Sequence, residues 1–143
     1  MKLLVFGSIA VALDPSPVII HTGTNNLSSE SAESCVTEIK NLAIKVKNKF
    51  PNSSVAISGI VYREDINVDS KRVKVNEMVQ LMAEDNKIVY RDNSVIDASA
   101  LNGSRLHLNA KGSSLLAVQF IKFLRSGSHK FNQSQLFNNC ESF

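Results

Sequence analysis

The sequence predicts an α/β protein in which helices cover a parallel sheet. Short apolar segments with the length of buried strands alternate three times with amphipathic segments of helical length. Strands and helices that alternate in this way form a parallel sheet with right-handed crossovers. The chain of 143 residues has the size of one domain, which we assign to residues 1–126. The polar tail 127–143 is expected to be mobile.

The first strand and helix follow a proline-rich break at residues 14–17. Residues 18–20 predict a short buried strand, and the Gly-Thr-Asn-Asn segment 23–26 suits a loop at its end. Residues 28–50 predict a helix, which Pro51 ends, because apolar side chains recur there at steps of three and four. That apolar stripe consists of Ala32, Val36, Ile39, Ala43, Val46 and Phe50.

Two further pairs of strand and helix complete the pattern. The apolar run 55–61 predicts a buried strand, and residues 69–84 predict the helix that follows it. Residues 87–90 predict a third strand, and after an irregular polar stretch a last helix is expected over residues 109–125. The side chains expected to face the core from these helices are Val75, Met78, Val79, Met82, Leu116, Phe120, Phe123 and Leu124.

The N-terminal residues admit two interpretations. Residues 3–6 have the character of a buried strand, which we favour, whereas residues 1–12 also resemble a short signal peptide that ends at Ala12. Two cysteines, Cys35 and Cys140, form no disulfide framework, and a reduced compartment is the preferred setting. A cytoplasmic protein is therefore favoured, with secretion as the alternative if residues 1–12 are a signal peptide.

Composition excludes several classes of function. The longest apolar run, residues 3–13, is shorter than the roughly 20 residues that a membrane-spanning helix needs. A net charge of +3 is too weak to indicate nucleic-acid binding, which is disfavoured. His21, His107 and His129 are too scattered to predict a metal site, and no cofactor-binding motif is present.

Candidate catalytic residues lie where the predicted strands end, because sites of parallel sheets form at the carboxyl ends of the strands. The side chain of Asn25 and the backbone N–H of Gly23 could stabilise a developing oxyanion; the alternative is a turn that caps the next helix. His107 could act as a general base, although a histidine between two leucines is often a packed structural residue. Ser8 could supply a nucleophile at a strand end.

Two stretches together resemble the SGNH (GDSL-type) hydrolase superfamily. Ile-Ile-His-Thr-Gly-Thr-Asn-Asn at residues 19–26 is similar to the third sequence block of that superfamily, and Leu-His-Leu-Asn-Ala-Lys-Gly at residues 106–112 is similar to the fifth. The resemblance covers residues 17–126. It is strongest to SGNH-like domains that are associated with mobile elements.

This resemblance implies a fold, a reaction and a set of residues. The fold would be a three-layer α/β/α, flavodoxin-like domain, and the reaction would be acyl transfer from a small-molecule ester to water through a serine, without a cofactor. Asn25 and Gly23 would form the oxyanion hole and His107 would be the base. Ser8 would be the nucleophile.

The chain departs from the family pattern in two places. Ser104 occupies the position of the aspartate that lies three residues before the histidine; a serine can orient an imidazole but cannot offset its charge. Gly7-Ser8 lacks the family's aspartate, and residues 8–17 are too short for a parallel crossover. The chain therefore resembles the C-terminal part of the fold, truncated at its N-terminus. We expect an impaired hydrolase or, alternatively, a non-catalytic remnant or binding module, with self-association through an exposed sheet edge.

Overall fold

The computed structural model describes residues 16–127, and within this range the predicted alternation of strands and helices is confirmed. The elements in chain order are β1 (Pro17–His21), α1 (Ala32–Lys49), β2 (Ser54–Ser58), α2 (Asp69–Asp85), β3 (Val89–Arg91) and α3 (Ala110–Gly127). The strand predicted at residues 3–6, the signal-peptide alternative and the tail beyond residue 127 lie outside the described residues.

The three strands of the described sheet are parallel and run in the order β1-β2-β3. Their register brings the last residue of each strand into one row, with His21 paired to Ser58 and Ser58 paired to Arg91. The loops that follow the strands therefore leave from one edge of the sheet, which is where a site of this fold class forms.

Successive side chains along the strands enter different layers, as the pleat requires. Val18 and Ile20 of β1 lie in the larger core, which packs the sheet against α1 and α2. Ile19 lies in the smaller core, where Phe123 and Leu124 of α3 cover the other face. The predicted three-layer α/β/α arrangement is confirmed, with two of the described α-helices on one face and one on the other.

Three of the differences between the predicted and the observed element boundaries have a clear local cause. α1 begins at Ala32 rather than at residue 28, because the hydroxyl of Ser31 accepts a hydrogen bond from Ser34 N and caps the helix there. β2 ends at Ser58 rather than at residue 61. The side chain of Asn76 takes up both backbone groups of Ile60, which leaves the ladder.

The third difference is the start of β3, which begins at Val89 rather than at residue 87. Lys87 has a φ of 56°, a left-handed conformation that no strand contains. The predicted inward-facing residues are buried or half-buried in all three helices. No helix within residues 16–127 combines the length and the apolar character that crossing a membrane requires.

Candidate functional site

The loop after β1 carries the two predicted oxyanion donors. Gly23 has a φ of 106°, and a Cβ there would lie 2.8 Å from Ile60 Cδ1, so this position requires glycine. The N–H of Asn26 donates to Gly23 O at 3.2 Å and closes the turn. Asn25 is exposed, and its side chain does not cap the short 3₁₀ turn that follows. The predicted turn is therefore present, but the side-chain amide of Asn25 does not cap the element that follows it.

His107 lies in a tight connection just before α3. An antiparallel bridge pairs Leu101 with Leu108, and the N–H of Asn102 donates to His107 O at 2.8 Å. Leu108 packs against a small apolar cluster, whereas His107 is exposed. Within residues 16–127 its imidazole has no hydrogen-bond partner, so the packed structural interpretation of this histidine is wrong.

The rest of the second motif holds the start of α3 in place. Asn109 caps the helix, since its Oδ1 accepts from Gly112 N at 2.9 Å and its Nδ2 donates to Leu101 O at 3.1 Å. A Cβ at Gly112 would collide with Ala100 O, so the glycine allows this close approach. These contacts fix the backbone on both sides of His107.

Ser104 does not orient the imidazole of His107 in this structure. Its hydroxyl accepts hydrogen bonds from the backbone N–H groups of Leu106 and His107, at 3.2 and 3.1 Å, and donates to Asn102 Oδ1. The serine thus stabilises the turn itself, as short polar side chains do in turns. The sequence-based expectation that it could orient the ring is not met here.

Arg63 connects the two loops. This buried side chain donates from Nη1 to Thr24 O at 2.8 Å, and from Nε and Nη2 to the carboxylate of Asp65 at 2.7 and 2.6 Å. The N–H groups of Glu64 and Asp65 donate in turn to Arg105 O, at 2.8 and 3.2 Å. A continuous set of hydrogen bonds therefore runs from the loop after β1 to the loop that carries His107.

The charges of this connection are paired. The hydrogen bonds from Arg63 lower the pKa of the Asp65 carboxyl, and a second ion pair joins Arg105 Nη1 to Glu64 Oε1 at 2.9 Å. The sequence pattern assigned no role to residues 62–65, which lie between the strand predicted at residues 55–61 and the helix predicted at residues 69–84. The available signal was the Arg-Glu-Asp triplet directly after a buried strand, at the edge where sites form.

A second polar cluster lies between the sheet and α3, and the sequence did not reveal it. Ser58 Oγ lies 3.0 Å from His21 Nδ1 and accepts from Asn93 Nδ2 at 2.8 Å. Burial lowers the pKa of His21, whose ring meets Phe120 edge-on with centroids 5.8 Å apart. The neutral imidazole can therefore accept the Ser58 proton at Nδ1.

The hydroxyl of Ser58 and the imidazole of His21 lie as close together as a serine nucleophile and its general base do. However, Ser58 is only 1% exposed. A hydroxyl buried to that degree cannot reach an ester carbonyl, so the cluster is structural. Gly59 O also accepts from Asn93 Nδ2 at 2.7 Å, which ties the ends of β2 and β3 together.

Two further expectations from the sequence concern the nucleophile Ser8 and a metal site. Ser8 lies outside the described residues, so its position relative to Gly23, Asn25 and His107 stays a prediction. Among residues 16–127, no cluster of His, Cys, Asp and Glu side chains is arranged to hold a metal ion.

The parallel sheet, its three layers and the loops at its carboxyl edge define a three-layer α/β/α fold, which is the fold that the resemblance to the SGNH hydrolases implies. Among solved structures, the chain resembles the esterase domain of the ORF1 protein of the zebrafish ZfL2-1 retrotransposon, with a TM-score of 0.61 and 20% identity over 76% of this chain and 72% of that one. It also resembles an acetylxylan esterase from Geobacillus stearothermophilus, with a TM-score of 0.60 and 18% identity over 76% of this chain.

The chain spans 59% of the length of the Geobacillus enzyme. No protein-family model matches the sequence, and no curated protein matches it significantly. At these identities the likeness establishes the fold, and one of the two neighbours is encoded by a mobile element.

Proposed function

We propose that this chain is an SGNH hydrolase-like domain that keeps an oxyanion loop and an exposed histidine, but that hydrolyses carboxylic esters at a rate near background. The observation that carries the proposal is the turn at Ser104. The Ser104 hydroxyl accepts hydrogen bonds from backbone N–H groups. The imidazole of His107 has no orienting partner within residues 16–127.

The loop after β1 supports the binding half of this proposal. Asn25 is exposed, and its side chain makes no capping hydrogen bond. Its amide can therefore donate to the oxygen of an ester carbonyl. Gly23 is held in the one backbone conformation that only glycine adopts freely. Donors fixed in advance at a developing negative charge are the largest single source of catalysis in acyl transfer.

In the full reaction, the oxygen of a serine attacks the ester carbonyl while His107 accepts the serine proton. Asn25 and Gly23 stabilise the resulting oxyanion, and collapse expels the alcohol, which takes the proton back from the histidine. Water then attacks the acyl-serine in the same manner, releases the acid and restores the serine. Ser8 is our candidate for this serine.

The missing carboxylate limits this chemistry in two ways. It leaves the imidazole free to rotate and leaves the imidazolium that forms during attack without a counter-charge. In the serine proteases, loss of the orienting carboxylate lowers turnover by about 10⁴. Effects on a catalytic unit are not additive, so the loss of this one group can by itself bring the rate close to background.

A covalent probe tests this proposal directly. We expect the 143-residue chain to take up no fluorophosphonate. We also expect it to hydrolyse a short-chain activated ester at the same rate as its His107→Ala variant. Stoichiometric labelling that Ser8→Ala abolishes would contradict the proposal and identify Ser8 as a working nucleophile.

The second candidate function is a binding module without catalysis, which the bonding of Ser104 also favours. The variant Ser104→Asp separates the two. A carboxylate at this position restores a potential partner for the imidazole, so hydrolysis should rise above the parent rate if the remaining groups are competent. Unchanged hydrolysis, together with absent labelling, would favour the binding module.

A further inference from the structure

Arg63 is the only charged residue among residues 16–127 that is buried, with 7% of its surface exposed. Burying a guanidinium costs free energy that only complete pairing offsets. Three of its nitrogens make hydrogen bonds, two to Asp65 and one to Thr24 O. A residue kept at this cost in a loop at the site edge calls for an explanation beyond general stability.

The partners of Arg63 give that explanation. Thr24 lies between Gly23 and Asn25, so the bond from Nη1 holds the backbone of the predicted oxyanion loop directly. Asp65 receives the other two bonds, and its own N–H donates to Arg105 O, two residues before His107. Arg63 thus binds the predicted oxyanion loop directly and reaches the loop that carries His107 through one residue, Asp65.

We propose that Arg63 is a positioning residue that fixes the oxyanion loop relative to the loop that carries His107. This inference rests on the proposed function for its catalytic meaning, but its geometry can be tested separately. Arginine suits the task because its planar fork binds a carboxylate with two parallel bonds while a third donor remains for a carbonyl.

Arg72 provides a matched control in the same region. It too pairs with a nearby aspartate, Nε to Asp69 Oδ1 at 2.8 Å, and donates to a backbone carbonyl, Nη1 to Ile60 O at 3.2 Å. Neither of these bonds reaches Thr24 or Arg105. Loss of the Arg72 side chain should therefore cost stability without disturbing the relation between the two loops.

The experiment places a nitroxide at residue 25 through Asn25→Cys and measures paramagnetic relaxation at the amide of His107 by NMR. Cys140→Ser removes one native thiol. Cys35 is 1% exposed, and burial raises the pKa of its thiol, so it should not react. The labelled chain is compared with and without Arg63→Met, Arg63→Lys and Arg72→Met.

We expect Arg63→Met to lose most of the relaxation at His107 and Arg63→Lys, which keeps the charge but not the fork, to lose part of it. Arg72→Met should keep the full relaxation at the His107 amide, even if it lowers the melting temperature as much as Arg63→Met does. Equal relaxation in the Arg63 and Arg72 variants would overturn the inference. If Arg63→Met does not fold, Arg63→Lys against Arg72→Met decides in the same way.

This outcome is separate from that of the proposed function. Labelling by fluorophosphonate and ester hydrolysis report on chemistry, whereas the relaxation reports only on the two loops. A working Ser8 nucleophile would thus contradict near-background hydrolysis without touching the positioning role. Loops that keep their relation in Arg63→Met would remove the positioning role without touching the hydrolysis result.

Discussion

The two faces of the sheet differ in what covers them. Under α1 and α2 lies a large apolar core, which includes Val18, Ile20 and Val75. Under α3 the apolar cluster is small, centred on Ile19 and Phe123. Toward the carboxyl edge it gives way to the polar cluster of His21, Ser58 and Asn93.

This difference separates the part of the sheet that contributes most to stability from the edge that carries the candidate site. The first face is closed and apolar and carries most of the burial that favours folding. The second face has fewer apolar contacts, and its polar groups must be paired to be tolerated there. The loops with Gly23 and His107 leave from the edge above both faces, so the candidate site lies at that edge and the large core of the first face supports it.

The sharpest comparison of the two faces uses adjacent residues of β1. Ile20 is 1% exposed in the large core and Ile19 is 3% exposed in the small one. Truncation to alanine costs about 2–5 kcal/mol at buried sites, with the largest values where the cavity cannot collapse. We expect Ile20→Ala near the top of this range and Ile19→Ala near the bottom, measured by urea unfolding. Equal losses would mean that the two faces contribute alike.

A polar substitution tests the second face. Ser58→Ala leaves Nδ1 of the half-buried His21 without its partner, which costs about 1–3 kcal/mol where such a group is buried. Ser54→Ala is the control, because Ser54 is buried near the other end of the same strand and is not part of this polar cluster. A loss at Ser58 no larger than that at Ser54 would show that the polar cluster does not stabilise this face.

The pH dependence of stability follows from the same cluster. Burial lowers the pKa of His21 from its ordinary value of 6.5, so the unfolded chain binds a proton more readily than the folded one. The free energy of unfolding should therefore fall as the pH drops below about 6.5.

The variant His21→Asn keeps a polar group close to the position of Nδ1 but does not titrate. It should flatten this part of the profile in thermal melts at a series of pH values. Asp65, whose pKa Arg63 lowers, loses its contribution only further into the acid range, so the two windows stay distinct. An unchanged slope below pH 6.5 in His21→Asn would refute the assignment to His21.

The smallest expected effect concerns association. Within the described residues β1 pairs only with β2, and a strand with one free side invites pairing with another chain. We predict weak self-association, seen in sedimentation velocity as an apparent mass that rises with protein concentration. A constant monomer mass across the whole accessible range would contradict it.

Sequence patterns predicted the first face better than the second, for physical reasons. The apolar stripe of α1 repeats with the helix period, so burial of Ile39 and Ala43 follows from spacing alone. The helix start at Ala32 was missed because three serines, Ser28, Ser29 and Ser31, precede it, and only local geometry selects Ser31 as the cap.

Single polar contacts have no period and could not be predicted in this way. Gly23, Asn25 and His107 stood out by motif and by position at strand ends. The bond from Arg63 to Thr24 joins residues 39 positions apart, and that from Asn93 to Ser58 spans 35. Such pairs depend on the register of the sheet, which the strand lengths alone do not fix.

The measurement that tests the central claim most directly asks whether the two loops share one site. A nitroxide attached through Asn25→Cys in the Cys140→Ser chain, with no further substitution, should broaden the amide signals of Arg105 and His107 strongly. Ser54, near the opposite edge of the sheet, serves as the internal reference. If His107 is broadened no more than Ser54, then the oxyanion loop and the histidine do not form a common site, and the proposed relation to ester chemistry is contradicted.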